Sequence, residues 1–183
     1  VTQASEGPWV RLRGAAAVET VDTLLRADEI DYNQETGDVE ARGNAYFENF
    51  EREERLEADR IEYNLREERG KFYGVRGSTP AKVELRPGLL RTANPFVFRG
   101  QWAERLGRRY ILHNGFITNC KLPNPWWVLR GKRFDIIPGE RAIASRPVFR
   151  LKGIPLFYLP YFYKSLEDQP RKSGFLMPNI GTS

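Results

Sequence analysis

The seven-residue stretch Ala27-Asp28-Glu29-Ile30-Asp31-Tyr32-Asn33 returns 31 residues later as Ala58-Asp59-Arg60-Ile61-Glu62-Tyr63-Asn64, with five of its seven positions identical. Each copy leads through a polar turn into a second run that closes on glycine, Val39-Glu40-Ala41-Arg42-Gly43 and Lys71-Phe72-Tyr73-Gly74. The unit is therefore strand, turn, strand. One hairpin cannot bury a face by itself, so the repeat predicts hairpins stacked side by side on a shared core.

Period-two alternation supports strands and argues against helices. In the first copy Asp28, Ile30 and Tyr32 fall on one face, and Glu29, Asp31 and Asn33 on the other. Next, Val39, Ala41, Gly43, Ala45 and Phe47 alternate with Glu40, Arg42, Asn44, Tyr46 and Glu48, the pattern of a half-buried antiparallel strand. Glycine-containing turns are expected at 34–38 and 65–70. Further strands are expected at 83–85 (closed by Pro87-Gly88), 95–100 and 110–120, with 101–109 as a charged loop. Pro123, Pro125 and the pair Trp126-Trp127 mark an irregular loop. A weaker third copy follows, with strands at 134–137 and 143–149 around Pro138-Gly139-Glu140. Trp9, Val10 and Leu12 could add an edge strand to a loose lead-in. No stretch carries a capped helix of 10 to 12 residues. The fold class is all-β, with about a dozen short strands.

Net charge is +5, from 29 Lys and Arg against 24 Asp and Glu. That balance suits nucleic acid, anionic lipid or an acidic glycolipid, but the charges interleave along most of the chain as on a solvated β-surface. The basic excess gathers at 99–109, 130–133 and 146–152. The most apolar run, 154–163, is interrupted by prolines and is far short of the roughly 20 residues of a membrane helix. Cys120 has no internal disulfide partner, and His113 is the only histidine. No HExxH, His/Cys cluster, G-x-S-x-G or glycine-rich phosphate loop accompanies them. Asp28 and Asp59 recur at one point of each repeat, which suits bonding to turn amides better than acid/base work. An enzyme is not expected, nor a cofactor or metal. A start at Val1 rather than methionine suggests a processed protein or an excised fragment.

What remains is an apolar face carrying Ile30, Tyr32, Val39, Ala41, Phe47, Ile61, Tyr63, Phe72, Phe134, Ile136 and Phe149. It forms a core if two sheets close on it and an apolar groove if they do not. The small residues Ala41, Gly43 and Ala45 are compatible with room for a ligand.

The tail carries two motifs, Gly153-Ile154-Pro155-Leu156-Phe157-Tyr158-Leu159-Pro160-Tyr161 and Arg171-Lys172-Ser173-Gly174-Phe175-Leu176-Met177-Pro178. With the Ala-Asp-x-Ile-x-Tyr-Asn repeat, they make the chain resemble the lipopolysaccharide-assembly outer-membrane proteins LptD, the organic solvent tolerance family, from about Leu24 onward. The resemblance implies an open periplasmic β-jelly-roll at 23–163, a lead-in at 1–22, and a linker at 164–183 toward a C-terminal barrel absent from this sequence. It implies that the domain receives lipopolysaccharide from a homologous bridge jelly-roll, by strand-edge pairing, at the periplasmic face of the Gram-negative outer membrane. The lipid would then pass toward the barrel and its lipoprotein plug. It further implies a disulfide from Cys120 to the barrel, and a junction at Pro155, Tyr158, Pro160, Arg171, Ser173, Gly174, Phe175 and Pro178. The competing readings are a basic β-barrel binding single-stranded nucleic acid and a purely structural β-solenoid; the resemblance implies no nucleic acid.

Overall fold

The computed structural model describes residues 2–51, 54–79, 95–137 and 140–165. The expected strand at 83–85, its closing Pro87-Gly88, Pro138-Gly139 and the motif residues Arg171, Ser173, Gly174, Phe175 and Pro178 lie outside the described residues. The first half holds β1 (Thr2–Glu6), β2 (Trp9–Glu19), β3 (Thr23–Asn33), β4 (Asp38–Asn49), β5 (Glu54–Asn64), β6 (Arg69–Tyr73) and β7 (Arg76–Thr79). The second holds β8 (Phe96–Leu106), β9 (Arg109–Thr118), β10 (Trp127–Ile137), β11 (Arg141–Ser145), β12 (Val148–Leu151), β13 (Ile154–Tyr158) and β14 (Tyr161–Ser165). All fourteen belong to one sheet, and neighbours pair antiparallel. β6 and β7 lie in line between β5 and β8, as β11 and β12 do along β10.

Each repeat copy ends in asparagine because that side chain starts the turn. Asn33 Oδ1 accepts from the amides of Glu35 (2.9 Å) and Thr36 (3.1 Å). Asn64 Oδ1 accepts from those of Arg66 (3.0 Å) and Glu67 (2.9 Å). The side chain thus supplies the acceptor that an isolated turn would take from water.

A crease crosses the strands. On β4 the two residues Gly43 and Asn44 oppose the single Asp59 of β5, and the β3–β4 register shifts at the same level. Their φ angles are +74° and +46°, and β2 kinks alike at Gly14 and Ala15. The line continues through Gly74 (φ +62°), whose amide donates to the Gln101 carbonyl, and Asn114 (φ +48°), whose Nδ2 donates to Gln101 Oε1. It ends at Arg146 (φ +51°) and Pro147, between β11 and β12. Two-against-one bulges bend a strand and raise its twist. They also reset the face: on β5, Leu56 and Ala58 are buried before the crease, and Ile61 and Tyr63 after it.

Bent along this line, the sheet doubles over into a jelly-roll-like sandwich. Phe47 pairs in register with Leu56, which is roughly 23 Å from Tyr63 along an extended strand. Yet the Phe47 ring lies 5.2 Å from that of Tyr63 and 5.5 Å from that of Phe72. Only a folded-back sheet allows both. At the far margin from the crease, the Tyr110 hydroxyl on β9 donates to the Glu54 carboxylate on β5, joining the two layers.

Several expectations need correction. The lead-in is ordered sheet, with β1 paired to β2 and β2 to β3. Residues 101–109 are not a loop: β8 runs to Leu106 and β9 starts at Arg109. The strand expected at 143–149 is two strands, broken at the crease. Asp28 leaves the face of Ile30 and Tyr32, again because of the crease, and accepts from Asn44 Nδ2 (2.9 Å) rather than from a turn amide.

A Cβ on Gly43 would overlap the Asp28 carboxylate, whereas one on Gly107 would meet open space. Both have positive φ. Gly107→Ala is expected to cost about 1 kcal/mol and Gly43→Ala about 2–3 kcal/mol, read by urea unfolding.

Candidate functional site

The inner face is ordered into rows that cross the strands. One row runs in register Leu12, Ile30, Ala41, Ile61, Phe72, Ala103, Leu112, Phe134, Ala144 and Phe162. Nearer the margin lies a second row: Val10, Tyr32, Val39, Tyr63, Gly70, Arg105, Tyr110, Ile136, Ala142 and Lys164. Across the crease, on the facing layer, a third row runs Val18, Leu25, Phe47, Leu56, Gly77, Phe98, Ile117, Leu129, Phe149 and Phe157. Each residue named for the apolar face from sequence stands on one of these rows. With strands about 4.8 Å apart, a row is roughly 40 Å long.

Packing changes along the rows. Ile30, Val39, Ala41, Phe47, Ile61, Tyr63, Phe72 and Phe134 are buried, while Tyr32, Ile136 and Phe149 are only partly so. The middle is a filled core in which Phe47, Tyr63 and Phe72 meet edge to face. Toward the last strands the facing layer thins out. Trp127, Phe149 and Phe157 stack with centroids 6.0 and 5.3 Å apart, and Phe157 is 57% exposed. Ile154, Leu156, Tyr158, Leu159, Tyr161 and Tyr163 are exposed beside them, as is Trp126. An apolar patch of this extent on a protein surface signals something that covers it.

The junction residues within the described part sit in this region. Pro155 and Tyr158 belong to β13, which pairs with β12, and Tyr158 stands opposite Val148. The Pro160 carbonyl accepts from the Arg146 amide at 3.1 Å, so the tail is tied to the crease. Cys120 is a free, buried thiol in the turn after β9, its amide donating to Thr118 Oγ1 at 3.1 Å. The Trp127 indole donates to Asn119 Oδ1 at 2.8 Å, which orients its ring over Phe149.

The outer face is polar and largely self-paired. Arg13 meets Asp31 at 2.9 Å, Arg42 meets Glu40 at 2.6 Å, and Arg60 bridges Glu40 (2.7 Å) and Glu62 (2.5 Å). Such exposed pairs contribute little stability each. They do account for the interleaved charges of the sequence. On β9 and β10, Arg109 grips Asp135 through both oxygens, at 2.8 and 2.5 Å, and holds that carboxyl below its ordinary range. His113 stacks flat on Trp102, with centroids 3.8 Å apart and planes 2° from parallel. Burial pushes its pKa below 6.5; Glu104 pulls it up and Arg133 pushes it down.

Among the inner-surface residues not named from sequence, Leu112 and Arg105 differ in how visible they are. Leu112 stands beside Phe134, and Arg105 is fully buried among rings. The signal for Leu112 is the apolar run Tyr110-Ile111-Leu112 within an expected strand; nothing in a polar stretch such as Gln101-Trp102-Ala103-Glu104-Arg105 marks a buried arginine.

Phe47→Ala removes the ring that joins the two layers and is expected to cost about 3–5 kcal/mol, measured by denaturant unfolding. The folded protein binds the His113 proton less readily than the unfolded chain does. That contribution to stability is complete above pH 6.5 and is lost as pH falls below it. The single imidazole resonance is expected to titrate below 6.5, with the unfolding midpoint dropping over the same window.

No protein-family model matches the chain. Its sequence is similar to the LPS-assembly protein LptD of Bordetella avium, 26% identical over 174 residues, 94% of this chain and 20% of that protein. The LptD of Xanthomonas oryzae pv. oryzae is 28% identical over 172 residues (93% and 19%), and that of Burkholderia thailandensis 28% over 180 (92% and 20%). The chain spans about a fifth of the length of the curated relatives it matches. Over more than nine tenths of its length the chain is thus similar in sequence to part of the LPS-assembly protein LptD of several Gram-negative bacteria.

Proposed function

We propose that this chain is a non-catalytic lipid-transport domain that carries the acyl part of lipopolysaccharide along its inner face at the periplasmic side of the outer membrane. One observation carries the reading: the row on the facing layer is apolar or glycine at every position, and it ends uncovered at Phe149 and Phe157, where Trp127 joins the stack. Similarity to LptD supports the same cargo. Acyl chains lie along the rows, between the layers, and leave at the open end toward a barrel that a lipoprotein plugs. β1 heads the strand order, so its free edge offers amides and carbonyls to the last strand of a homologous bridge jelly-roll. In this reading residues 23–163 are the jelly-roll proper, the tail from 164 is the linker, and Cys120 pairs with a barrel cysteine. The nucleic-acid alternative is disfavoured by the ion pairs of the outer face, where arginines already face carboxylates.

Photo-crosslinking tests the path. A crosslinking side chain at Phe149 or Phe157 is expected to give lipopolysaccharide adducts, and one at the outward Glu57 none. Equal labelling at all three, or labelling at Glu57 alone, would overturn the reading.

A further inference from the structure

The inner surface has one charge where none is expected. Along the three rows every residue is apolar, aromatic or glycine except Arg105 and Lys164, and Lys164 is exposed on the last strand. Arg105 is 0% exposed. Gly70 stands opposite it on β6, packed against Tyr63. Its guanidinium lies 5.5 Å from the Phe47 ring, 5.6 Å from Tyr63 and 5.7 Å from Tyr110. Nε donates to the Gly107 carbonyl at 3.2 Å. Among the described residues Nη1 and Nη2 find no hydrogen-bond partner, and the Glu68 Oε2 carboxylate oxygen stands 3.6 Å from Nη2.

Aromatic faces stabilise a cation but accept none of its in-plane N–H bonds. A buried guanidinium with empty donors is costly, and the group that best fills its fork is a carboxylate or a phosphate. The position is also reachable. Arg105 is two residues from the β8–β9 turn, its neighbour Leu106 is 41% exposed, and the Glu68 side chain that covers the guanidinium is 37% exposed. An anion entering at this margin would displace Glu68 and leave its attached apolar part against Phe47, Tyr63 and Phe72.

We propose that Arg105 is the recognition site for the phosphate of an amphiphile whose chains lie on the inner face. The proposal rests on the lipid-carrier reading and names where the headgroup is held: inside the margin, on a buried cation, with Glu68 as the internal carboxylate that the phosphate replaces.

The test compares a phosphorylated acyl-glucosamine disaccharide with the same molecule stripped of phosphate, by titration of the purified protein in one detergent. The readout is the ratio of the two affinities. The protein is expected to favour the phosphorylated form by about tenfold or more, the worth of a charge-assisted hydrogen-bonded contact. Arg105→Met brings the ratio close to one, and Arg105→Lys, which keeps the charge without the fork, brings it partway. Glu68→Gln raises the ratio, because the competing carboxylate is gone; a purely structural Arg105–Glu68 pair would leave the ratio unmoved. Inorganic phosphate at millimolar concentration leaves it unchanged. Binding of both amphiphiles with a ratio near one, or a ratio that neither Arg105→Lys nor Glu68→Gln moves, overturns the assignment while the carrier reading stands. A ratio abolished by inorganic phosphate assigns the site to the free ion and overturns the lipid assignment. Binding of neither amphiphile overturns the carrier reading itself, and this assignment with it.

Discussion

Doubling one sheet over on itself requires every strand to bend at the same level, and the crease of bulges and positive-φ residues is what supplies that bend. At Gly43 and Asn44 the chain inserts a residue and turns left-handed, so β4 keeps Val39, Ala41, Ala45 and Phe47 inward, while β5, one residue shorter at that level, changes face between Ala58 and Ile61. Asp28 closes over the bulge from the neighbouring strand. Without this line the rows of Ile61 and Leu56 would point to opposite sides of a flat sheet, and Phe47 could not reach Tyr63 and Phe72. Core, margin and open end all follow from where the bend falls.

The resulting sandwich is uneven along its length. Between β3 and β9 the facing rows interlock, and the aromatic cluster leaves little free volume. Beyond β10 the second layer reduces to the short strands β12 and β13, and the same rows emerge as an exposed aromatic stack. A stably closed core would not leave that much apolar area in water. The two ends of one surface thus differ: one is filled by its own side chains, and the other stands uncovered.

Much of this was legible in the sequence. The hairpins of the repeat, their turns and the residues of the apolar face all follow from period-two alternation in Val39, Ala41, Ala45 and Phe47 and its echo in Ile61 and Tyr63. The crease is not legible, because alternation runs on through the bulge of β4 and shifts by one residue on β3 and β5; that shift moves Asp28 off the face of Ile30 and Tyr32. Residues 101–109 read as a loop because strand patterning presumes an apolar residue at each inward position, and Arg105 violates that. β1 has no buried position at all, so its pairing with β2 leaves no hydrophobic trace. The candidate path was readable residue by residue, but its three-row order depends on register between distant strands, which a single sequence does not carry.

Because both layers are cut from the same strands, separating them breaks none of the strand-to-strand backbone bonds. The work of opening is done only against side-chain contacts, chiefly the ring cluster, the Arg105 contacts and the Tyr110–Glu54 link, while the bulges flex. A sandwich of two independent sheets would slide or dissociate under the same load. This one resists the load as a leaf spring does, by bending at its crease with its strand order kept.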